Sequence, residues 1–266
     1  MRYDIGDLLN AWPFDPDEFI ARRITAGDGT EKIQIRIDMG MLQLEVEGRP
    51  DGHRPHGAES LLHHFAETLT PASGPVRNGT ELDEDACEDL FQEAWQYYQR
   101  YLALFYLEDY EGVDRDTGHN LAIFDLVHEF ADSDDVKWYF EQYFPHAVMM
   151  QARARAMGAL DGDNYPGALR HVREGIDRIE EFLGEWEGEG GEVVDEDFPE
   201  LTFLRDWYEE LEKERPLSQK EQLERDLTVA VEAENFEEAA RLRDKLRPLR
   251  PAFLNPNPER SGTSTT

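Results

Sequence analysis

The feature that most limits how this chain can fold is one stretch, Leu82–Leu107, which has helical spacing and carries aromatic side chains on more than one face. A helix that is apolar around most of its circumference needs neighbours on several sides, so it belongs in the middle of a helical bundle. We expect Pro145 to kink or split one neighbouring helix, because proline removes a backbone hydrogen bond from a helix interior. Helical spacing predicts these neighbours at Thr117–Ala131, Asp135–Leu160, Tyr165–Leu183 and Glu200–Glu214.

The aromatic residues of this central helix admit two interpretations. Core packing is the main one, since large rings dominate the buried area of protein cores. The alternative is a stripe of Trp and Tyr side chains that lines a ligand cleft. The residues concerned are Phe91, Trp95, Tyr97, Tyr98, Tyr101, Phe105 and Tyr106.

The N-terminal part predicts a three-stranded antiparallel meander. Apolar and polar residues alternate in Lys32–Asp38 and again in Leu42–Glu47, which is the pattern of half-buried strands. A preceding run, Phe19–Ala26, is joined to them by Gly27–Thr30, whose Asp-Gly pair suits a tight turn. Such a sheet is marginal alone, so the helical run Ala58–Leu69 or the larger helical part should cover its apolar face.

One local pattern occurs three times, as DYEGVDR at 109–115, NYPGALR at 164–170 and NFEEAAR at 235–241. The leading Asn or Asp caps the free N–H groups of a new helix, and the aromatic residue wedges between two helices. The small residue at the fifth position lets the two backbones approach. We therefore expect a helix-turn-helix corner at each place. The first two resemble tetratricopeptide-type corners, but their unequal spacing favours irregular helical hairpins over a true repeat array.

The chain is strongly acidic, with 59 Asp and Glu against 27 Lys and Arg and a formal net charge of −32. Phosphate-mediated nucleic-acid binding needs a basic surface, so we expect no direct nucleic-acid contact. The apolar runs are too short for a membrane span or a secretory leader, and we expect a cytoplasmic protein. The single Cys87 forms no internal disulfide, and its acidic neighbours should raise its thiol pKa and make it a poor nucleophile.

The predicted fold class is mainly α, or α+β overall, and shifts in composition divide the chain into five segments. These are a β-meander with a His- and Gly-rich loop and a short helix (1–78), an acidic aromatic-rich helical bundle (79–186), an acidic Gly-rich loop (187–199), a helix followed by an antiparallel two-helix hairpin (200–250), and a disordered tail (251–266).

The loop segment Gly48–His64 is the richest in potential ligand atoms. Zinc accepts imidazole and carboxylate ligands, so an enzyme or metal-binding protein that uses this loop is one alternative. The main interpretation is a structured loop whose Arg49 or Arg54 pairs with the acidic helical part. Adjacent His63 and His64 point in different directions, and we expect no metal, cofactor or catalytic residue. The ligand-type residues are Asp51, His53, His56, Glu59, His63 and His64.

The C-terminal hairpin carries a family resemblance. Ser218–Glu221 forms a capping box that opens one helix, and Asn235 caps a second helix, with apolar residues at helical spacing on both. The stretch KEQLERDLTVAVEAENFEEAARLRDKLRPL resembles the UVR motif, the hairpin found at the end of the excinuclease protein UvrB and inside the excinuclease protein UvrC. Its best-matching core is Phe236-Glu237, Ala239-Ala240, Leu242-Arg243-Asp244 and Leu246, with Leu223 upstream.

The resemblance implies protein contact, since in that family the hairpin pairs with a second copy of itself. No GxxxxGK[ST] phosphate loop occurs in the sequence, so we transfer no helicase or nuclease activity. We expect a non-enzymatic adaptor that binds a protein partner or itself, with the excinuclease proteins UvrB and UvrC as candidate partners. An accessory factor recruited to excinuclease-type DNA repair is the alternative. The predicted partner-binding residues are Leu223, Leu227, Phe236, Ala239, Ala240, Leu242, Arg243, Asp244 and Leu246.

A physical argument agrees with this interpretation. A lone two-helix hairpin buries too little apolar area, at about 25 cal/mol per Å², to offset an ordering cost of about 1 to 2 kcal/mol per residue. It needs another surface, which its own helical part, another copy or a foreign hairpin can supply.

The rest of the chain is similar to a group of bacterial proteins of planctomycete type. These combine EKIQIRIDMGMLQLEVEGRPDG, found here at residues 31–52, with an aromatic helical middle and a terminal UVR hairpin. That resemblance implies an architecture and no reaction.

Overall fold

The computed structural model describes residues 4–69, 81–188 and 198–247, which are mainly helical and confirm the predicted fold class. None of the helices in these ranges is both long and apolar enough to cross a membrane. The predicted acidic loop 187–199 lies largely outside them, and the tail 251–266 wholly so. The strands are β1 (Ala21–Thr25), β2 (Glu31–Ile37) and β3 (Gly40–Glu45), and the helices are α1 (Gly6–Ala11), α2 (Leu61–Leu69), α3 (Glu84–Tyr106), α4 (Tyr110–Phe130), α5 (Asp134–Glu141), α6 (Phe144–Asp161), α7 (Tyr165–Gly188), α8 (Pro199–Glu214), α9 (Gln219–Glu232) and α10 (Phe236–Leu246).

The three strands form the predicted antiparallel meander, in the order β1-β2-β3. Ile33 of β2 pairs with Leu44 of β3, and Ile35 pairs with Ala21 of β1 on its other side. All four residues are buried and join the same hydrophobic core as the helices. The helical part therefore covers the apolar face of a sheet that would be marginal alone.

The three predicted corners share one backbone geometry, at α3–α4, α6–α7 and α9–α10. In each, the first helix ends with a residue in the left-handed region, which is the usual way to turn a chain out of a helix. These residues are Glu108, Asp163 and Glu234, with φ of 60°, 54° and 54°. The next backbone N–H donates to a carbonyl five residues earlier, from Asp109 to Leu104 (2.9 Å), from Asn164 to Ala159 (2.9 Å) and from Asn235 to Ala230 (2.8 Å).

The same residue that closes one helix opens the next. The side-chain oxygens of Asp109, Asn164 and Asn235 accept hydrogen bonds from the backbone N–H three residues on, at 3.0, 3.0 and 3.3 Å. Gly167 stands at that third position in the second corner, where a Cβ would lie 2.3 Å from Asn164 Nδ2. Each corner thus joins two antiparallel helices with a minimal turn.

One helix boundary differs from the sequence prediction, and a second follows it. Helix α4 begins at Tyr110 rather than Thr117, because the Asp109 cap starts it as soon as the corner is complete. The predicted helix Asp135–Leu160 is split into α5 and α6, as expected from Pro145. Pro145 lies in the first turn of α6, where a missing N–H costs no helical hydrogen bond.

The chain forms two compact units, residues 1–213 and residues 214–266. In the first unit the sheet and the helices share a single core, so the predicted segments 1–78 and 79–186 are packed together. Helix α8 contributes Leu201, Leu204 and Leu211 to this core. The second unit contains the α9–α10 hairpin, which is described by itself below.

A buried ion pair fastens the sheet region to the helices. Arg100 of α3 and Asp116 of α4 have fully buried side chains and form two hydrogen bonds, Nε to Oδ2 at 2.6 Å and Nη2 to Oδ1 at 2.8 Å. The remaining Arg100 nitrogen, Nη1, donates to the carbonyls of Glu45 (3.0 Å) and Gly48 (2.7 Å) at the end of β3. One guanidinium therefore connects both helices to the chain that leaves the sheet.

The left-handed residues predict a stabilising substitution. Glu108→Gly should raise the free energy of unfolding by about 0.5 to 1 kcal/mol, because glycine adopts positive φ without the steric cost that glutamate bears there. The matched control is Glu111→Gly, three residues later and within α4. This change should lower the free energy of unfolding by about 1 kcal/mol. Urea unfolding followed by circular dichroism measures both, and equal effects of the two changes would contradict the corner geometry.

Candidate functional site

The C-terminal hairpin begins with a complete capping box. Ser218 Oγ accepts from the Glu221 N–H at 3.2 Å, and the Glu221 carboxylate accepts from the Ser218 N–H at 2.8 Å. Arg215 also donates to this carboxylate from Nη1, at 2.8 Å. The hydrogen bonds from Arg215 and then Ser218 hold the pKa of Glu221 well below its usual range. The start of α9 is therefore fixed by local contacts.

The two helices of the hairpin pack along one apolar seam. Ala230 of α9 and Ala239 and Leu242 of α10 are buried together, and Leu223 and Leu227 are half-buried against them. Alanine at facing positions lets the two helix backbones approach closely. This seam is made within the hairpin itself, so its residues hold α9 on α10.

The other predicted partner-binding residues occupy different environments. Ala240 is half-buried, Leu246 is buried, and Arg243 and Asp244 are exposed. Phe236, the first residue of α10, is 70% exposed. Of the predicted set, Phe236 is therefore the large apolar side chain that the hairpin leaves most open to solvent.

The predicted set of partner-binding residues leaves out two exposed apolar residues near the corner. Val229 is 57% exposed and Val231 is 51% exposed, both in the last turn of α9. Val229 lies only two residues after Leu227, so it falls on the opposite side of the helix from the seam. That off-period position is the signal that would have identified it. Phe236 and the exposed surface around it at the start of α10 are called the corner surface below.

Comparison with known proteins agrees with the geometry of the hairpin. The family model described as UvrB/uvrC motif matches residues 218–250, from the Ser218 cap to beyond the end of α10. The hairpin is a UVR motif. No curated protein and no solved structure matches the chain.

The His- and Gly-rich loop is tied to the helices by a second buried carboxylate. Glu93 of α3 is fully buried and accepts from the backbone N–H groups of Leu61 (2.8 Å) and Leu62 (3.1 Å) at the start of α2. His119 Nε2 lies 3.0 Å from the same carboxylate, and Arg49 Nε lies 3.0 Å from it on the loop side. The predicted pairing of Arg49 with the acidic helical part is thus present.

The surroundings of Glu93 favour the charged form of its carboxylate. Burial acts to raise its pKa, but the hydrogen bonds from His119, Leu61 and Leu62 outweigh burial and hold the pKa below its usual value. A charged, fully satisfied carboxylate at a helix N-terminus is a structural anchor. The loop is therefore held in place by the same kind of contact that Arg100 provides.

The histidines of the loop do not converge on one point. The rings of His56 and His64 stack with centroids 4.1 Å apart, whereas His63 Nδ1 lies 2.7 Å from Ser60 Oγ and His53 is exposed. Within residues 4–69, 81–188 and 198–247, no group of three or more His, Cys, Asp or Glu side chains is arranged to hold a metal ion. The alternative of a metal-dependent reaction in this loop gains no support from the geometry.

Cys87 lies in the first part of α3 and is buried. Burial, and then the nearby charge of Asp83, raises the pKa of its thiol. The predicted direction of the shift is confirmed, and the thiol is poorly suited to act as a nucleophile near neutral pH.

Replacing the buried carboxylate tests its structural role. Glu93→Gln should lower the free energy of unfolding at pH 7 by about 3 kcal/mol, because it leaves Arg49 without its buried counter-charge. Glu88→Gln, on the exposed side of the same helix, should change it by less than about 0.5 kcal/mol. Urea titrations of the three proteins at pH 7 provide the measurement.

The pH dependence of the same proteins gives a second prediction. The folded-state pKa of Glu93 is depressed, so its stabilising contribution is fully present above about pH 4.3, the ordinary glutamate value, and is lost as the pH falls through the folded value. The wild type should therefore lose more stability than Glu93→Gln as the pH is lowered below about 4.3. Parallel acid dependence of the two proteins would show that Glu93 is not the anchor.

Proposed function

We propose that this protein is a non-enzymatic adaptor that docks on a protein partner through its UVR hairpin. The observation that carries the proposal is the exposure of Phe236 on a hairpin whose seam is already closed. An exposed aromatic side chain with apolar neighbours is a typical anchor of a protein interface. Val229 and Val231, in the last turn of α9, are further exposed apolar residues of the same hairpin.

The other two corners of the chain support this interpretation. Each begins its second helix with an aromatic residue at the same position, Tyr110 and Tyr165, and both of these are half-buried. Phe236 stands at the equivalent position in the hairpin and is 70% exposed. The same structural element is therefore present at three corners of the described chain, and among the described residues the aromatic side chain of the hairpin corner is the most exposed of the three. A partner that covers Phe236 would give the hairpin corner the packing that the other two corners have.

The two kinds of hairpin residue then have separate roles. Leu223, Leu227, Ala239 and Leu242 keep the two helices together, and the corner surface makes the contact. Arg243 and Asp244 are exposed and of opposite sign, which suits charges at the rim of an interface that set its register. Burying an aromatic side chain contributes about 1.5 to 3 kcal/mol, enough for one anchor to dominate a small interface.

The charge distribution favours a protein partner. Lys213–Arg250 has equal numbers of acidic and basic residues, whereas Gly79–Glu212 has 36 acidic and 9 basic ones. The acidic part repels phosphates and other acidic surfaces, so direct nucleic-acid binding is not part of this proposal. The neutral hairpin is free of that repulsion and is where an apolar contact can form. The partner is a similar hairpin, either on a second copy or on a foreign protein, and we place the adaptor in the cytoplasm.

The proposal predicts a selective loss of partner contact on Phe236→Asp. Aspartate in the first turn of α10 is compatible with the helix, since negative charge is favourable at a helix N-terminus, so folding should be retained. Its charge would be desolvated in an interface, and partner binding should fall by at least about tenfold. Met39→Asp is the matched control, because Met39 is 88% exposed in the β2–β3 turn and outside the hairpin.

Amine-reactive crosslinking in native cells, followed by mass spectrometry, measures this effect. Lys220 and Lys245 lie on the hairpin, and Lys32 and Lys137 lie in the first unit. We expect intermolecular crosslinks at Lys220 and Lys245 in the wild type and in Met39→Asp, and their loss in Phe236→Asp. Unchanged hairpin crosslinks in Phe236→Asp, with an unchanged circular dichroism spectrum, would refute docking through the corner surface.

The match to the UvrB/uvrC motif favours a second, narrower candidate, an accessory factor recruited to excinuclease-type DNA repair. Its test is a pull-down with the purified excinuclease proteins UvrB and UvrC, using wild type, Phe236→Asp and Met39→Asp. Retention of either protein by the wild type and Met39→Asp alone would support this candidate. No retention by any of the three would exclude it and leave self-pairing or another protein as the partner.

A further inference from the structure

An aromatic cleft lies among the helices of the first unit. It has a volume of about 340 Å³, within the usual range of small-molecule sites, which begins near about 300 Å³. Helices α3, α4 and α6, the segment before α6 and the start of α8 line it. Its aromatic walls are Phe91, Trp95, Tyr98, Tyr101, Phe124 and Tyr143.

The cleft contains a buried polar atom without a partner. Asn120 of α4 lines the cavity and is only 3% exposed. Its Nδ2 donates to the Ala94 carbonyl at 3.0 Å, which fixes the orientation of the amide. Its Oδ1 has no hydrogen-bond partner among the described residues. A buried acceptor left unpaired is costly, so a small rearrangement of the lining that lets a ligand N–H or O–H reach this atom would be favourable.

The charge in the cleft has one sign. Glu200, at the start of α8, lines it, and no Lys or Arg is among the described residues that line it. His146 also lines it, with Nδ1 3.2 Å from the Tyr101 hydroxyl. Burial lowers the pKa of His146, Glu200 acts to raise it and Arg153 acts to lower it, so the net shift disfavours the charged imidazole. The lining thus combines aromatic faces with one carboxylate, an arrangement that attracts cations.

We propose that this cleft binds a small aromatic amine in its protonated form. The ring system stacks against Trp95, Tyr98 and Tyr143, a ring N–H donates to Asn120 Oδ1, and the ammonium group pairs with Glu200. Trp95 and Tyr98 already stack on each other with ring centroids 5.0 Å apart, which gives the ligand a rigid aromatic surface. The site is independent of the proposed docking of the hairpin.

Isothermal titration calorimetry of the full chain with four probes tests the ligand class. We expect tryptamine to bind at least about tenfold more tightly than indole-3-propionate, which has a similar body and a negative charge. The affinity of neutral 3-methylindole should lie between the affinities of these two charged probes. Then 1-methyltryptamine, which lacks the ring N–H, should bind more weakly than tryptamine if Asn120 Oδ1 accepts that hydrogen. Absence of tryptamine binding at millimolar concentration, or tighter binding of the anion, would overturn the proposal.

Variants of the full chain locate the binding. Glu200→Gln should weaken tryptamine binding by about three- to tenfold and leave 3-methylindole binding unchanged. Glu210→Gln, an exposed residue of the same helix, should change neither. Trp95→Ala should weaken the binding of both probes, and it should fold normally because Trp95 is 51% exposed. Tryptamine affinity that is unchanged in both Glu200→Gln and Trp95→Ala would place the binding elsewhere and refute this site.

Discussion

The buried pair of Arg100 and Asp116 is the contact on which the rest of the first unit depends. Neither side chain reaches solvent, so each charge lost its hydration on folding, and only close pairing with further hydrogen bonds offsets that cost. Arg100 provides those bonds through the Glu45 and Gly48 carbonyls. The pair therefore requires the end of β3 to lie against α3 and α4. A three-stranded sheet that is marginal alone becomes part of a single core.

The packing of α3 against α4 also explains how the His- and Gly-rich loop is held in place. Glu93 lies seven residues before Arg100 on α3, so the two charges share one face of that helix. Glu93 holds the start of α2 through two backbone N–H groups and meets Arg49 from the loop. His119 of α4 completes the contact. Arg49 and the start of α2, at the two ends of a segment whose composition suggests chemistry, are thus held by contacts that belong to the fold.

Local sequence patterns predicted much of this fold, whereas contacts between residues that are distant in the sequence were not predicted. The capping box at Ser218, the three corners and the split near Pro145 each depend on a few neighbouring residues, so they were readable from the sequence. The pairing of Arg100 with Asp116 depends on how two helices pack, and no local pattern specifies it. The cleft at Asn120 arises in the same way, from several helices meeting. At the hairpin, apolar periodicity predicted which residues pack between α9 and α10. The exposure of Phe236 depends on the tertiary packing around it, which no local pattern specifies.

The corners give the strongest reason to regard the hairpin as an unfinished structure. Asp109, Asn164 and Asn235 set the same turn, and each is followed by an aromatic residue at the first helical position. Sequence similarity alone would predict equal burial of these rings, and the difference comes from tertiary context. In the first unit further helices surround each corner, whereas the described part of the second unit consists of α9 and α10. The leucines of the hairpin pack in the seam between α9 and α10, and the corner surface stays exposed. Phe236, the residue that a helical bundle would bury, is therefore the residue that a partner can cover.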